Sequence, residues 1–493
     1  MEVVGELANK VQALGPATAA SLVVAALLAL WLLTDAVKGL VGGKRPPVLA
    51  GIPIIGGMLK FAKGPLPLMQ EGYNKLGDVF TVSVLHKRIT FLLTPSVVEH
   101  FFKGTDDEVS QKEVYGFSVP VFGKDVVYDV DHTVRAEHFK LFTEALKTDK
   151  LRSYVTMMVE EAESFFRDRW GESGEVDLFE EMAELIILTA SRTLMGPEVR
   201  GKMFAQVKDL YHDLDKGLQP ISVFMPNLPI AAHRKRDAAR KKMSALFSEI
   251  IEQRRKEGRV ESDVMQVFMD REMKDGSKLT NDQITGMLIA VLFAGQHTSS
   301  ITSTWLVYEI LNQKDKLLPE LLDEQKKIVA EFGDKLEFSV LQKMDSLHRY
   351  MSETLRIHPP LLMLMRYARE PFEVTTSKGQ TYTIPKGDIL MASPTFSHRI
   401  EDTYPDALSF QPDRFKPPRS EDKKPFAWMG FGNGRHRCMG EHFAYMQVKT
   451  ILSVILRNFD LELTTPFPEP DYEGMVVAPK AAKVKYTRRK LVA

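Results

Sequence analysis

The chain has 493 residues and one cysteine, Cys438, whose neighbours mark it out chemically. It ends the loop Phe431-Gly432-Asn433-Gly434-Arg435-His436-Arg437-Cys438-Met439-Gly440, and residues 441–459 after it have helical character. A thiol just ahead of a helix start meets free backbone N–H groups and the positive end of the helix dipole. Both favour the thiolate, the form that ligates metals. Gly434 and Gly440 let backbone pass close to a flat partner, and Arg435, His436 and Arg437 offer cations and donors to carboxylates beside a metal. A basic loop around a buried cysteine is the plain alternative. The spacing F-x-x-G-x-x-x-C-x-G fixes too many positions for chance to account for it. A lone cysteine also excludes an intramolecular disulfide and a Cys-rich zinc site.

Three other groupings could do chemistry. Leu292-Phe293-Ala294-Gly295-Gln296-His297-Thr298-Ser299 places a glycine, an imidazole and hydroxyls inside an apolar helical run. Glycine in a helix interior costs about 1 kcal/mol relative to alanine, so Gly295 implies that something approaches the helix there. Ser and Thr hydroxyls in such a run can bond back to the i−4 carbonyl and open a groove. On its own, His297 reads as a satisfied core histidine. Glu353 and Arg356 face each other at i, i+3 on a helix. Glu252 and Arg255 repeat that spacing as a solvated pair, so spacing alone decides nothing. The third is Tyr115-Gly116-Phe117-Ser118-Val119-Pro120-Val121-Phe122-Gly123, followed by Val126-Val127-Tyr128-Asp129. Its four aromatic residues, on a turn shaped by Pro and Gly, read as a ligand wall rather than core plugs.

The Cys438 loop resembles the haem-binding signature of the cytochrome P-450 family. The resemblance implies that Cys438 is the axial thiolate of haem b, with Phe431, Gly432 and Gly440 among the residues that contact the cofactor. Such a thiolate pushes electron density onto iron and favours O–O cleavage. Glu353, Arg356 and, from Gln411-Pro412-Asp413-Arg414-Phe415, Arg414 resemble the family's Glu–Arg–Arg network, which implies a role in folding and haem retention. In the wider family the site around Gly295 reads Ala/Gly-Gly-x-Asp/Glu-Thr. Here His297 stands in place of the acid, and Gly-x-His-Thr-Ser resembles the sterol 14α-demethylase subfamily. That implies a catalytic proton path through Thr298 and His297, with Asp215 of Asp215-Lys216-Gly217-Leu218-Gln219-Pro220 as the acid partner of His297.

The Tyr115 string resembles the same subfamily's substrate-recognition loop. The resemblance has Tyr115 and Tyr128 hydrogen-bonding haem propionates, and Phe117, Phe122 and Val126 facing substrate. Arg366 and His436 match further propionate donors. The subfamily's W-x-x-x-R is absent from the next helix; Arg135 and Lys140 stand there, and the sequence leaves open which reaches a propionate. Ala290, Phe293, Ala294, Leu362, Met363 and Met475 complete the matched pocket. None of its residues is charged, which suits a rigid apolar ligand with a single hydroxyl. The implied reaction is removal of the 14α-methyl group of a sterol precursor in three O2- and NADPH-dependent oxidations, with release of formate. Phe117 stands where plant-like and some protozoan members carry Phe and animal and fungal members Leu, which favours obtusifoliol over lanosterol or eburicol. Azoles are the expected inhibitors, by nitrogen coordination to iron. The rival readings are a fatty-acid or xenobiotic hydroxylase of the same fold and a haem-binding protein without turnover.

The chain must position these residues. Thr280 is placed to cap a helix over 281–313, with Asp282 in its first turn. That helix would run roughly 50 Å. Helical period also covers 151–169, 178–194, 236–256, 317–332 and 341–358. Residues 79–84 and 89–93 alternate as a hairpin, and extended segments return at 372–374 and 382–384. The expected fold is mainly α with small β-sheets, the haem-thiolate fold, over 57–493. Ahead of it, residues 11–34 carry no charge and 17–33 are dense in Ala, Leu and Val. Residues 16–34 as a helix would span roughly 28 Å, about one bilayer core. Lys10 precedes this segment, and Lys38, Lys44 and Arg45 follow it, which puts the rest of the chain in the cytosol. We therefore expect a membrane anchor over 1–43, a Pro/Gly hinge over 44–56, and a single-pass protein of the endoplasmic reticulum.

Lys plus Arg and Asp plus Glu number 65 each, a balance that argues against a nucleic-acid binder. No Gly-rich phosphate-cradling strand–helix motif is present, so electrons must come from a separate NADPH–cytochrome P-450 reductase. Lys140, Arg435 and Arg437 offer either a docking face for it or propionate contacts.

Overall fold

The computed structural model describes residues 44–49, 56–84, 87–472 and 474–491. The expected anchor over 1–43 lies outside the described residues, as does most of the second half of the hinge. Helices dominate what is described, and one of them organises the rest.

That helix is Asn281–Asn312. Thr280 and Gln283 form a reciprocal capping box at its start: Thr280 Oγ1 accepts from Gln283 N at 3.2 Å, and Gln283 Oε1 accepts from Thr280 N at 2.9 Å. Among the described residues it is the one helix long and apolar enough to cross a membrane. It is instead the core, because most of its side chains from Ile284 to Ile310 are buried. Leu178–Ala190, Ala231–Glu257 and Glu441–Asn458 pack around it.

Among the described residues, four small sheets flank the helices. The largest has five strands, in the order Val79–Val84, Lys87–Leu92, Ile389–Ala392, Leu364–Ala368, Val109–Ser110. Its pairs are antiparallel except Ile89↔Ile389 to Leu92↔Ala392, which run parallel. The hairpin expected near residue 80 is therefore the edge of a sheet whose other strands come from far along the chain. A three-stranded antiparallel sheet joins Ser173–Asp177, Lys483–Arg488 and Phe459–Leu463.

Two expected helices differ in detail. The period over 341–358 is split into Phe338–Gln342 and Asp345–Ile357. A second helix start fits there because Glu324 accepts from Ser346 N at 2.6 Å and Leu347 N at 3.1 Å, satisfying N–H groups that a new helix leaves open. The period over 178–194 ends as a π turn, Ser191–Met195, where Ser191 Oγ and Thr193 Oγ1 donate back to the carbonyls of Ile187 and Thr189. The helices Pro65–Leu76 and Phe204–Lys216 were not among the periodic segments. The second of them carries Asp215.

Candidate active site

The Cys438 loop is folded tightly on itself. Cys438 N donates to the Phe431 carbonyl at 2.9 Å. Gly432 and Gly434 hold left-handed backbone, at φ 68° and 60°. A Cβ on Gly434 would fall 2.2 Å from the Phe102 carbonyl oxygen, so this glycine is required for close approach to Phe102. Gly440 then precedes the helix Glu441–Asn458, as the sequence implies. Burial pushes the Cys438 thiol up, with the Gly440 N–H acting against it. Coordination to a metal cation deprotonates a thiol and overrides that push. Cys438 is surrounded by protein yet keeps accessible surface.

Cationic and phenolic groups converge on one side. Arg366 is 3% exposed, lies 4.8 Å over the Phe101 ring, and donates from Nη1 to the Met365 carbonyl at 2.8 Å. No carboxylate is within ion-pair distance among the described residues, and its Nε has no partner. Burial pushes this guanidinium down, and the nearby Tyr115 and Tyr128 act the other way. Those two rings stack at 5.0 Å, and the Tyr115 hydroxyl accepts from Met365 N at 3.1 Å. Burial raises the Tyr128 hydroxyl to about 12, so it stays a donor at neutral pH. His436 lies 3.3 Å from Asp106 Oδ1, and neither of its ring nitrogens has an aligned partner. Arg135 is buried and pairs with the same Asp106. Of the two basic residues on this helix, Arg135 joins the cluster and Lys140 is exposed. Arg435 is exposed too, and Arg437 is committed to Glu441 through two bonds of 2.7 Å.

The middle of the central helix opens where its sequence carries small and polar residues. Ala294 is exposed and a Cβ on Gly295 would meet nothing within 4 Å. Thr298 Oγ1 donates to the Ala294 carbonyl at 2.7 Å, which turns its oxygen toward that face. One turn from Phe293, His297 Nε2 donates to Asp215 Oδ1 at 2.9 Å. The helix Phe204–Lys216 thus places Asp215 where the resemblance put it. Tyr211, one turn before Asp215, packs on Phe293 at 4.5 Å and His297 at 5.9 Å. Phe293 in turn meets Phe122 edge-on at 5.9 Å. Phe122, Val126, Ala290 and Phe293 share the main apolar cluster, and Leu362 and Met363 belong to a second one. Phe117 is buried and 6.2 Å from the Tyr115 ring. Met475 is 37% exposed and in neither cluster, although Val477 N ties its segment to the Pro360 carbonyl at 2.8 Å.

Behind the loop, Glu353 holds two arginines. Arg356 meets its carboxylate twice at 2.7 Å, and Arg414 Nε donates at 3.3 Å. All three side chains are fully buried. Arg356 also donates to the His398 carbonyl at 2.9 Å, and His398 Nε2 accepts from Met429 N at 2.8 Å. The network therefore reaches the start of the cysteine loop through His398, a link the sequence did not indicate. The glycine-bounded loop, its thiol and the triad behind it match the comparison with family descriptions, where residues 46–486 fit "Cytochrome P450". The chain belongs to the cytochrome P450 family.

Similar proteins narrow this further. The chain is 50% identical to "Sterol 14-demethylase" of Arabidopsis thaliana, covering 98% of this chain and 99% of that protein. It is 51% identical to "Obtusifoliol 14-alpha demethylase" of Sorghum bicolor, covering 96% of each. Against "Lanosterol 14-alpha demethylase" of Bos taurus the identity is 38%, covering 91% of this chain and 89% of that one. Among solved structures, retinoic acid-bound cyanobacterial CYP120A1 matches with a TM-score of 0.78 at 22% identity, over 91% of this chain and 100% of that one. That likeness speaks for the fold. P450 enzymes hold haem through a cysteine thiolate and use O2 with electrons from a reductase. This chain fits haem on its own geometry. Arg366 is a buried cation without a carboxylate, His436 Nδ1 is buried without a partner, and the helix at Gly295 leaves room for a flat group.

Proposed function

We propose that this P450 removes the 14α-methyl group of sterols and prefers obtusifoliol. The observation that carries the reading is the His297–Asp215 bond of 2.9 Å, set one helical turn from Phe293 and beside Thr298. A hydroxylase of flexible chains has no evident need for a histidine–acid pair there. Identities near 50% to plant sterol and obtusifoliol demethylases, against 38% for animal lanosterol demethylases, support the same choice.

Bound haem, ligated by Cys438, supplies the oxidising chemistry. The protein's residues do the rest. Arg366, His436, Tyr115 and Tyr128, with Arg135 beside them, hold the propionates. Phe117, Phe122, Val126, Ala290, Phe293, Ala294, Leu362, Met363 and Met475 provide an uncharged wall that orients a rigid ring system and excludes water. Thr298 carries a hydroxyl on the open face of the helix, and His297, oriented by Asp215, passes protons toward it from the partly exposed end of the pair. Glu353, Arg356 and Arg414 keep the cysteine loop in register.

The chain works as a single-pass protein of the endoplasmic reticulum facing the cytosol, supplied by NADPH–cytochrome P-450 reductase and inhibited by azoles. Lys140 and Arg435 are exposed and suit a docking face. Substrate preference is tested by competition. With obtusifoliol and lanosterol present together, the wild type should demethylate obtusifoliol faster, and Phe117→Leu should narrow the gap. Equal or faster turnover of lanosterol by the wild type refutes the preference.

A further inference from the structure

The substrate wall is held by a residue outside every motif. The short helix Val119–Phe122 and residues 123–129 after it carry Phe122 and Val126. Two residues of this turn hold left-handed backbone without being glycine: Asp125 at φ 59° and Val127 at φ 49°. For a β-branched residue that conformation costs on the order of 1–2 kcal/mol, so the surroundings must impose it.

Three contacts do so. Asp129 Oδ2 accepts from Asp125 N at 2.9 Å within the turn. Phe122 lies against Gly286 of the central helix, where a Cβ would fall 2.1 Å from the Phe122 carbonyl oxygen. Arg240, from the helix Ala231–Glu257, donates from Nη2 to that same carbonyl at 3.2 Å. Arg240 is 8% exposed. Its remaining bonds go to the start of the central helix, from Nη1 to Asp282 Oδ1 at 3.0 Å and from Nη2 to the Asp282 carbonyl at 3.2 Å. Gly123, at φ 104°, makes the approach possible, because a Cβ there would lie 2.5 Å from Nη2. One guanidinium thus joins two long helices to a strained turn. The same turn borders a cleft of about 950 Å³ lined by Gly123, Tyr128, Arg240 and Asp282.

We propose that Arg240 is a positioning residue for the pocket, latching the Phe122–Val126 wall against the central helix and setting how fast ligands enter and leave. The proposal rests on the demethylase reading only for the identity of the ligand.

The test uses the haem-loaded full-length chain and the variants Arg240→Met, Arg240→Lys and Gly286→Ala. Hydrogen–deuterium exchange over residues 116–129 is read without ligand, and dissociation of a bound azole and of obtusifoliol is followed by absorbance. Losing a hydrogen bond from a charged donor should raise both exchange and dissociation about tenfold in Arg240→Met, with Arg240→Lys in between. Gly286→Ala should do the same with Arg240 intact, because it displaces the Phe122 carbonyl. Wild-type exchange and wild-type dissociation in Arg240→Met overturn the latch, as does a rise spread evenly over the whole chain. If Arg240→Met loses haem, the other two variants carry the same comparison. Faster exchange in a protein that binds no sterol keeps the latch and removes the sterol reading. Unchanged exchange in a protein that demethylates normally does the reverse.

Discussion

Asp215→Asn isolates the His297 pair, because it removes a charge and changes little in shape. The bond is 2.9 Å long, but the side chains are 24% and 33% exposed. At that distance two unit charges in water would attract by about 1.4 kcal/mol, an upper bound that needs the imidazole protonated. Desolvation and side-chain ordering offset part of this, and pairs of this exposure contribute about 0.2–1 kcal/mol. With an unfolding entropy of about 2 cal/mol/K per residue, a chain of this length should lose only about 1 °C in Tm. A positioned acid–base group, by contrast, contributes about 10²–10⁴-fold to rate. The pair is thus too weak to be a fold device, and the proposed proton role is what the variant tests. The assay is demethylation with reductase in excess, recording product, NADPH consumed and hydrogen peroxide released. Product per NADPH should fall about tenfold or more and peroxide should rise, with an unchanged ferrous–CO spectrum. An unchanged ratio of product to NADPH would refute the reasoning, as would a rate loss matched by loss of folded protein.

Other variants probe the supports. Glu353→Gln strands the fully buried Arg356 guanidinium and leaves Arg414 with Glu421 as its only carboxylate, and should cost about 3–5 kcal/mol, seen as a lower Tm and early haem loss; a wild-type melt contradicts this. Arg366→Met replaces a buried cation that lacks a carboxylate, so the haem-free fold should keep its stability while haem dissociates faster, and unchanged haem retention contradicts it. Burial, with Arg356 adding to it, pushes His398 down to about 3. The unfolded chain then takes up a proton near pH 6.5 that the folded chain refuses until about pH 3. Stability should fall as pH drops through that window, by up to about 1.4 kcal/mol per unit. Urea unfolding at pH 7 and pH 5 should show a smaller drop in His398→Gln than in the wild type; equal drops remove His398 as the cause.

What the sequence revealed was mostly local. The cysteine loop, the capped central helix and the Glu353–Arg356 spacing each lie within a few residues, where backbone chemistry and helical period act directly. Asp215 was reached through the family resemblance and not through any local pattern, and the fold brings it to His297 from 82 positions away. Asp106, Arg240 and His398 were not legible. Asp106 gains meaning only beside Arg135 and His436, Arg240 only against Phe122 and Asp282, and His398 only between Arg356 and Met429. Such contacts join segments tens to hundreds of positions apart, and no period encodes them. Arg135 and Lys140 share one helix, and only the burial of one and exposure of the other separates them. At Cys438 the loop pattern and the family agree on a thiolate, and coordination to a metal cation overrides the upward push that burial gives the free thiol.

Product analysis tests the central claim most directly. The purified chain, a reductase and NADPH are given a panel of 14α-methyl sterols, and formate and the Δ14 sterol are measured. The account predicts both products in equal amounts, with obtusifoliol ranked first. No demethylated product from any member, despite a thiolate-type ferrous–CO spectrum, would contradict it and leave a P450 that acts on another class of substrate.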